Sequence, residues 1–205
     1  MNARVVVLAK VPTPGRVKTR LCPPCSPEQA ARVAAAALAD TVAAVDASGA
    51  ATRVLATDRP GAAPVGWSGA LQRGGPLGER LANAFADLRP ALLIGMDTPQ
   101  LTGGHLDEAL RLLAGADAVF GPAEDGGWWA LGLRDPGHAE VLRDIPTSTA
   151  TTGARTRDAL LRRGLRIAEL PRLRDVDTAP DAYAVAALCP AGRAFPGAVA
   201  AEVPR

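Results

Sequence analysis

Short apolar runs alternate with longer segments of helical spacing along most of the chain. The first run, Val5 to Ala9, is continuous and rich in β-branched residues, which is typical of a strand buried on both faces of a parallel sheet. Further apolar runs predict strands at residues 53–57, 91–95, 118–120, 128–133 and 165–170. Helical spacing predicts helices at residues 27–45, 77–88, 104–113, 152–163 and 180–188. This alternation predicts an α/β fold, with a mostly parallel sheet in a three-layer α/β/α arrangement.

Turn and cap residues mark the ends of several predicted elements. Ser26 to Gln29 combine an N-cap, a first-turn proline and a capping-box partner, and Thr178 with Asp181 predicts a second capping box before the last helix. The residues after about Cys189 are rich in Pro, Gly and Ala, which predicts a loosely packed tail. We therefore predict one folded domain over residues 1–188 and a C-terminal tail over residues 189–205.

Composition argues against several classes of protein. The chain of 205 residues has 23 Lys+Arg against 21 Asp+Glu, and a net charge of +2 does not favour bulk electrostatic binding of nucleic acid or anionic membranes. No apolar run approaches the roughly 18 residues of a membrane span. Three cysteines cannot form a disulfide framework, which fits a reducing compartment. These features predict a cytoplasmic protein that binds neither nucleic acid nor a membrane.

Charged residues follow the predicted strands at the points where the strands end. They are the basic loop at residues 10–20, Asp97, Glu124, Asp125, Asp175 and Asp177. In an open α/β sheet such residues converge on one edge, although they are far apart in sequence. Carboxylates that face cations indicate a divalent cation held by the carboxylates, with a di- or triphosphate between it and the basic side chains.

The basic loop itself has the features of a phosphate site. Gly15 lets the backbone turn closely around a phosphate, Lys18 supplies a point charge, and Arg16 and Arg20 supply planar forks. Of the 23 basic residues only Lys10 and Lys18 are lysines, so the lysine at position 18 indicates a need for a compact ammonium. The alternative is a solvated basic loop without a ligand.

Structural alternatives stay open for the other candidates. Asp97 could start a turn or cap the helix that follows, and an acidic turn such as Glu124 with Asp125 is common between strands without any function. Trp128 and Trp129 are expected in the sheet, although one of them could face a base or a sugar ring.

Cys22 and Cys25 do not favour a redox or zinc site. Two prolines separate them, and both cysteines precede Ser26, whereas a dithiol motif needs its first cysteine at a helix N-terminus. A zinc site would need further ligands, and the chain offers only Cys189, His105 and His138 at unrelated spacings. Neither histidine lies beside a nucleophile motif, so a hydrolytic triad is also disfavoured.

Four motifs together resemble one bacterial family. They are Ala9-Lys10-x-Pro12-x-Pro14-Gly15-x-Val17-Lys18-Thr19-Arg20-Leu21, Gly95-x-Asp97-x-Pro99-x-Leu101-Thr102, Gly121-Pro122-Ala123-Glu124-Asp125-Gly126-Gly127 and Leu173-Arg174-Asp175-Val176-Asp177-Thr178. In this order, over about residues 4–188, they resemble the DUF2064 family of radical-SAM/selenodomain-associated transferase 1 proteins, within the nucleotide-diphospho-sugar transferase superfamily. The N-terminal segment is also similar to that of the phospholactate guanylyltransferases. The resemblance implies a Rossmann-like, glycosyltransferase-A type fold and a nucleotide-binding transferase domain over residues 1–188.

The resemblance and the charge pattern give a set of predicted site residues. The metal, Mg²⁺ or Mn²⁺, is assigned to Asp97, Asp175 and Asp177. Catalytic roles are assigned to Lys18, Arg20 and Asp125. Nucleotide contacts are assigned to Ala9, Lys10, Pro14, Gly15, Arg16, Lys18, Arg20, Gln72, Gly78 and Arg80. The chain departs from the family pattern at Pro76, at Thr147 and at Ala179-Pro180. The first two changes lie in segments that shape the nucleotide and acceptor pockets, so they weaken what the resemblance implies about the substrate.

Three functions follow from these residues. The first is Mg²⁺-dependent transfer of a nucleotidyl group from a nucleoside triphosphate to a phosphorylated small molecule, with Lys18 and Arg20 at the leaving pyrophosphate. The second is glycosyl transfer from a nucleotide sugar to a small-molecule acceptor, with Glu124 or Asp125 as the base. The third is a nucleotide-binding module without catalysis. The sequence leaves a homodimer open.

Overall fold

The computed structural model describes residues 3–61 and 63–204, and within them seven strands form one sheet. The strands are β1 Arg4–Ala9, β2 Thr52–Thr57, β3 Ser68–Leu71, β4 Leu92–Ile94, β5 Ala118–Pro122, β6 Trp128–Leu133 and β7 Ile167–Glu169. The α-helices are α1 Pro27–Asp46, α2 Leu77–Leu88, α3 Gly103–Gly115, α4 Thr152–Arg162, α5 Ala179–Ala186 and α6 Ala194–Glu202. Two 3-10 helices cover Thr19–Leu21 and Pro136–Asp144.

The sheet has the order β3-β2-β1-β4-β6-β5-β7. Every neighbouring pair is parallel except those of β6, which runs antiparallel to both β4 and β5. The prediction of a mostly parallel sheet is therefore confirmed, with one reversed strand inside it.

Helices cover both faces of the sheet, which confirms the three layers. Successive side chains of a strand point to opposite faces. Accordingly Val5 and Val7 pack with residues of α1 and α3, while Val6 packs with Leu81 and Phe85 of α2. All three valines are fully buried, as the continuous apolar run predicts for a central strand.

The predicted capping boxes are both present. The Ser26 hydroxyl accepts the backbone N–H of Gln29, while the Gln29 side chain accepts the backbone N–H of Ser26 at 2.8 Å. Thr178 and Asp181 make the same exchange at the start of α5. These local signals fix where two helices begin because each satisfies backbone donors that a helix N-terminus leaves free.

Four elements were not predicted: β3, the 3-10 helices at Thr19–Leu21 and Pro136–Asp144, and α6, which is described below. β3 is a short edge strand of Ser, Gly, Ala and Leu, and it has no apolar run because its side chains are mostly exposed. The 3-10 helix at Pro136–Asp144 begins with two helix-breaking residues, yet Leu142 is buried against the second face of the sheet. Its existence depends on that tertiary contact, which no local pattern of the sequence indicates.

The C-terminal segment corrects the predicted loose tail over residues 189–205. Residues 194–202 form α6, whose Phe195 is fully buried against α1 and α5. Asp40 of α1 accepts the backbone N–H groups of Ala194 and Phe195 at 2.9 and 2.8 Å, and so caps α6 from a different helix. Alanine is the best helix former, so the composition favours a helix once such a cap exists.

None of the helices in the described part of the chain is long and apolar enough to span a membrane.

Candidate functional site

A cavity of about 610 Å³ opens at the carboxyl edge of the parallel strands. It lies where β1 and β4 end and where the antiparallel β6 begins, so it is lined by the residues that follow or precede these strands. Four cationic side chains line it, from Lys10, Lys18, Arg20 and Arg80. Four carboxylates also line it, from Asp97, Asp125, Asp175 and Asp177. The predicted convergence of charge on one edge is thus what the fold produces.

Three of the carboxylates form a group that could hold a metal ion. Asp125, Asp175 and Asp177 each offer an oxygen, and these oxygens lie within 4.8 Å of one another. Partial burial and the negative charges of Asp125 and Asp177 raise the pKa of Asp175 to about 6 from its ordinary value of 3.8. Carboxylates held this close repel one another, and a hard divalent cation with oxygen ligands would relieve that repulsion. The donor set therefore fits Mg²⁺ or Mn²⁺.

Asp97 is not a member of this trio. Its carboxylate pairs with the ammonium of Lys18, and its backbone carbonyl accepts the N–H of Val176 at 2.9 Å. The predicted metal set of Asp97, Asp175 and Asp177 therefore differs from the set that the structure brings together, in which Asp125 takes the third place. In the structure the Asp97 carboxylate is instead paired with a lysine of the basic loop.

Lys18 connects three segments of the chain. Its backbone has a left-handed conformation with φ of 48°, and its ammonium donates to the Val176 carbonyl as well as pairing with Asp97. Val176 lies between Asp175 and Asp177 of the acidic trio. The positive charge of Lys18 lowers the pKa of Asp175, whereas the neighbouring carboxylates raise it. The lysine therefore holds residues 175–177 against the loop that follows β4.

Arg20 contacts the trio directly. Its Nη1 donates to Oδ2 of Asp177 at 2.8 Å, so the second cation of the basic loop also pairs with an acid.

Gln72 positions Arg80 in the cavity lining. The Gln72 amide nitrogen donates to the backbone carbonyls of Ala9 and Ala56 at 2.8 and 2.9 Å, which fixes it across the ends of β1 and β2. Its amide oxygen then accepts from Nη1 of Arg80 at 3.1 Å. The buried Nε of Arg80 has no hydrogen-bond partner among the described residues. Gln72 thus acts as a support for Arg80, and Ala9, Gln72 and Arg80 all line the cavity as predicted.

Four predicted nucleotide contacts, among the residues that the structure describes, do not line the cavity: Pro14, Gly15, Arg16 and Gly78. Gly15 has a φ of 73°, so its role is to turn the basic loop. Gly78 packs against the backbone of the 3-10 helix, where an added Cβ would lie 2.3 Å from the carbonyl oxygen of Leu142. Glu124, which was an alternative base, pairs with Arg174 at 2.8 Å outside the cavity lining.

Some residues that line the cavity were not in the predicted set of site residues, although the resemblance had placed one of them, Thr147, in a segment that shapes a substrate pocket. Thr147, Ser148 and Thr149 line the cavity just before α4, and Ser148 has a left-handed backbone with φ of 60°. Trp128 is half-buried in the cavity lining, whereas Trp129 is buried and donates its indole N–H to the Pro171 carbonyl at 3.0 Å. The signals were the departure from the family pattern at Thr147 and the cluster of hydroxyl residues at 147–152, which predicts a turn as readily as a site.

Comparison with known proteins identifies the family. The family model described as "Uncharacterized protein conserved in bacteria (DUF2064)" matches residues 29–149. The chain belongs to the DUF2064 family. The match confirms the resemblance carried by the motifs, and it includes Asp97 and Asp125 of the site. Among curated proteins, the comparison found no match for this DUF2064 chain.

Solved structures share the fold of this DUF2064 protein. The "putative nucleotide-diphospho-sugar transferase" of Desulfovibrio desulfuricans G20 is 28% identical with a TM-score of 0.79, over 88% of this chain and 85% of that one. A cytidylyltransferase of Leptospira borgpetersenii is 13% identical with a TM-score of 0.55, over 88% and 83%. The manganese complex of Rv0371c from Mycobacterium tuberculosis H37Rv is 19% identical with a TM-score of 0.51, over 90% and 98%. The predicted nucleotide-diphospho-sugar transferase fold is confirmed.

Proposed function

We propose that this DUF2064 protein is a metal-dependent nucleotidyltransferase that moves a nucleotidyl group from a nucleoside triphosphate to a phosphorylated small molecule. The observation that carries the proposal is the cavity at the carboxyl edge, where cations of the basic loop and of α2 line the same space as a carboxylate trio. A triphosphate needs both, because it carries several negative charges and is bound in proteins with a divalent cation. The fold shared with a cytidylyltransferase supports this reading.

The trio of Asp125, Asp175 and Asp177 would hold the metal, Mg²⁺ or Mn²⁺. When bound, such a cation neutralises phosphate charge and polarises the phosphorus under attack. The manganese complex of the M. tuberculosis protein, which has the same fold, supports a divalent cation in this group of structures.

The cations of the chain would bind the phosphates and the leaving group. An oxygen of the acceptor phosphate forms a bond to the α-phosphorus, the bond to the bridging oxygen breaks, and pyrophosphate leaves with the electron pair. Arg20 and Arg80 offer planar forks and Lys10 a point charge to the oxygens on which negative charge develops. Lys18 keeps residues 175–177 in place, and its ammonium adds positive charge to the cavity lining. Because a phosphate acceptor is already ionised near pH 7, the reaction needs no general base, which leaves Asp125 to the metal.

Glycosyl transfer from a nucleotide sugar is the second candidate. The observation that favours it is the 28% identity to the D. desulfuricans structure, which is described as a nucleotide-diphospho-sugar transferase. In that reaction the acceptor is a neutral hydroxyl that needs a base, and Asp125 is the exposed carboxylate at the cavity that could take its proton.

Pyrophosphate release separates the two reactions. The purified protein is incubated with each nucleoside triphosphate, with Mg²⁺ or Mn²⁺, and with a panel of phosphorylated acceptors. We expect metal-dependent pyrophosphate release with at least one pair. If no triphosphate releases pyrophosphate while a nucleotide sugar raises the melting temperature in a metal-dependent manner, nucleotidyl transfer is wrong and glycosyl transfer takes its place. Binding of nucleotides without turnover of any donor would leave the non-catalytic module.

A further inference from the structure

The two cations that end the basic loop are held in different ways. The side chain of Lys18 is only 6% exposed, and its ammonium contacts both Asp97 and the Val176 carbonyl. The side chain of Arg20 is 67% exposed, and its one ion pair with the residues that the structure describes is the 2.8 Å contact with Asp177. Displacing Lys18 would strand a buried carbonyl and break the connection between segments, whereas Arg20 can rotate into water at little cost. Lys18 is therefore a fixed cation and Arg20 a movable one.

Two cations compete for the carboxylate of Asp177: the guanidinium of Arg20 and the proposed divalent cation. One oxygen of Asp177 belongs to the group that fits a divalent cation, and Oδ2 accepts from Arg20. A guanidinium in contact with this carboxylate repels a divalent cation bound beside it and competes for the same lone pairs. Because Arg20 also lines the cavity, it has a second partner available in a phosphate.

We propose that Arg20 is an exchangeable counterion of Asp177: it leaves the carboxylate when a divalent cation binds the trio, and the freed guanidinium then binds the nucleotide phosphates. The inference rests on the proposed function, since it assumes a metal and a phosphate ligand in this cavity. It adds that a single side chain couples the binding of the two.

The charges that line the cavity explain why such an exchange is useful. Four cations and four carboxylates line the cavity, and two of each are paired with one another: Lys18 with Asp97 and Arg20 with Asp177. A phosphate alone has to compete with Asp177 for Arg20, and a metal alone has to compete with Arg20 for Asp177. When both bind, the metal releases Arg20 for the phosphate, and the phosphate releases Asp177 for the metal. The site therefore favours metal and nucleotide together over either alone.

The first test measures Mn²⁺ binding to the nucleotide-free protein by titration calorimetry or electron paramagnetic resonance. We expect Arg20→Met to bind Mn²⁺ about tenfold more tightly than the wild type, because a unit positive charge close to the ion is removed. Arg166→Met is the matched control: Arg166 is 69% exposed and pairs with Asp117 at 3.1 Å, outside the cavity lining. Its Mn²⁺ affinity should stay within twofold of the wild type. Unchanged or weaker binding in Arg20→Met overturns the exchange.

The second test uses inorganic tripolyphosphate in the presence of a chelator, so that neither a nucleobase nor a metal contributes to binding. Asp177→Asn frees Arg20 and is expected to bind tripolyphosphate about tenfold more tightly than the wild type. Asp125→Asn removes the same charge from the same trio but releases no arginine, so its gain should be several-fold smaller. Equal gains in the two variants would show simple charge repulsion and would overturn the exchange.

The two tests separate this inference from the proposed function because neither involves turnover. If the wild type binds Mn²⁺ and Arg20→Met does not bind it more tightly, the exchange is wrong while nucleotidyl transfer stands. If the wild type binds Mn²⁺, the variants behave as expected and no triphosphate releases pyrophosphate, the proposed reaction is wrong while the exchange stands. Failure of the wild type to bind Mn²⁺ overturns the exchange and the metal assignment together.

Discussion

Asp40 in α1 and Asp175 in the segment after β7 are both carboxylates withdrawn from water, and the protein treats them in opposite ways. Asp40 is 4% exposed, and its two oxygens accept backbone N–H groups from Ala194 and Phe195. Asp175 is half-buried beside Asp125 and Asp177, and its pKa rises to about 6. The first carboxylate is surrounded by donors and the second mainly by other carboxylates.

The difference separates a structural carboxylate from a functional one. Burial of a charge is tolerated where the chain itself supplies the compensating donors, as it does for Asp40. For Asp175, its own backbone N–H and the charge of Lys18 lower the pKa but do not offset burial and repulsion. An ionised carboxylate kept under those conditions weakens the fold, which supports the proposal that the trio binds a cation.

The sharpest way to break the comparison is to neutralise Asp175. We expect Asp175→Asn to lower metal-dependent turnover by about 10²-fold or more, because the trio loses a ligand for a cation that contributes several kcal/mol. The same variant should raise the free energy of unfolding of the metal-free protein by about 1 kcal/mol, since repulsion is relieved. Pyrophosphate release and urea denaturation measure the two effects. Asp87→Asn is the control, because Asp87 is an exposed aspartate paired with Arg73, and it should change neither turnover nor the free energy of unfolding substantially. Retained turnover in Asp175→Asn would contradict the functional assignment.

The reverse pattern is expected at Asp40. Asp40→Ala leaves two backbone N–H groups at the start of α6 without their acceptor, and Phe195 is buried there. We expect a loss of about 2–4 kcal/mol in the free energy of unfolding by urea denaturation, with turnover per folded molecule unchanged. Asp40→Asn keeps one acceptor oxygen and should lose about half as much. A stable Asp40→Ala variant would show that α6 docks through apolar contacts alone.

Lys18→Arg tests the fixed cation of the basic loop, which contacts Asp97 and the backbone of residues 175–177. The charge is kept, but a larger planar guanidinium has to fit a side-chain site that is only 6% exposed and reach both Asp97 and the Val176 carbonyl. We expect a loss of about 1–2 kcal/mol in the free energy of unfolding and about a tenfold fall in turnover. If charge alone mattered, Lys18→Arg would equal the wild type in both measurements.

The sequence was sufficient for those parts of the molecule that depend on local signals. The apolar run at Val5 to Ala9 predicted the central strand, and the pairs Ser26 with Gln29 and Thr178 with Asp181 predicted two helix starts. The convergence of charge on one edge followed from the parallel sheet, because the carboxyl ends of parallel strands meet there. Each of these inferences uses residues close in the chain or one general rule of sheet topology.

Contacts between distant segments were beyond the reach of such signals. Lys18 pairs with a carbonyl 158 residues away, and Asp40 caps a helix about 154 residues away, so no spacing in the sequence links either pair. The place of Asp125 beside Asp175 and Asp177, and of Asp97 beside Lys18, likewise depends on contacts between segments that are far apart in the chain. The sequence therefore predicts which residues reach the edge, while packing decides how they pair.

The pH dependence of Asp175 is the prediction that most directly tests the contrast between the two carboxylates. Its pKa in the folded protein is about 6, above the ordinary 3.8, so as pH falls the folded state takes up a proton before the unfolded state does. The penalty that this group imposes on the metal-free fold is full above pH 6 and disappears as pH falls towards 4, so this contribution makes the fold more stable in mild acid. Metal binding should change in the opposite direction, because a protonated carboxyl is a poor ligand, and Mn²⁺ affinity should fall by up to about tenfold per pH unit below 6. Urea denaturation and calorimetric Mn²⁺ titration of the wild type and of Asp175→Asn between pH 5 and 7 measure the two effects, and a pH dependence of equal size in the two proteins would assign the titration to a different group.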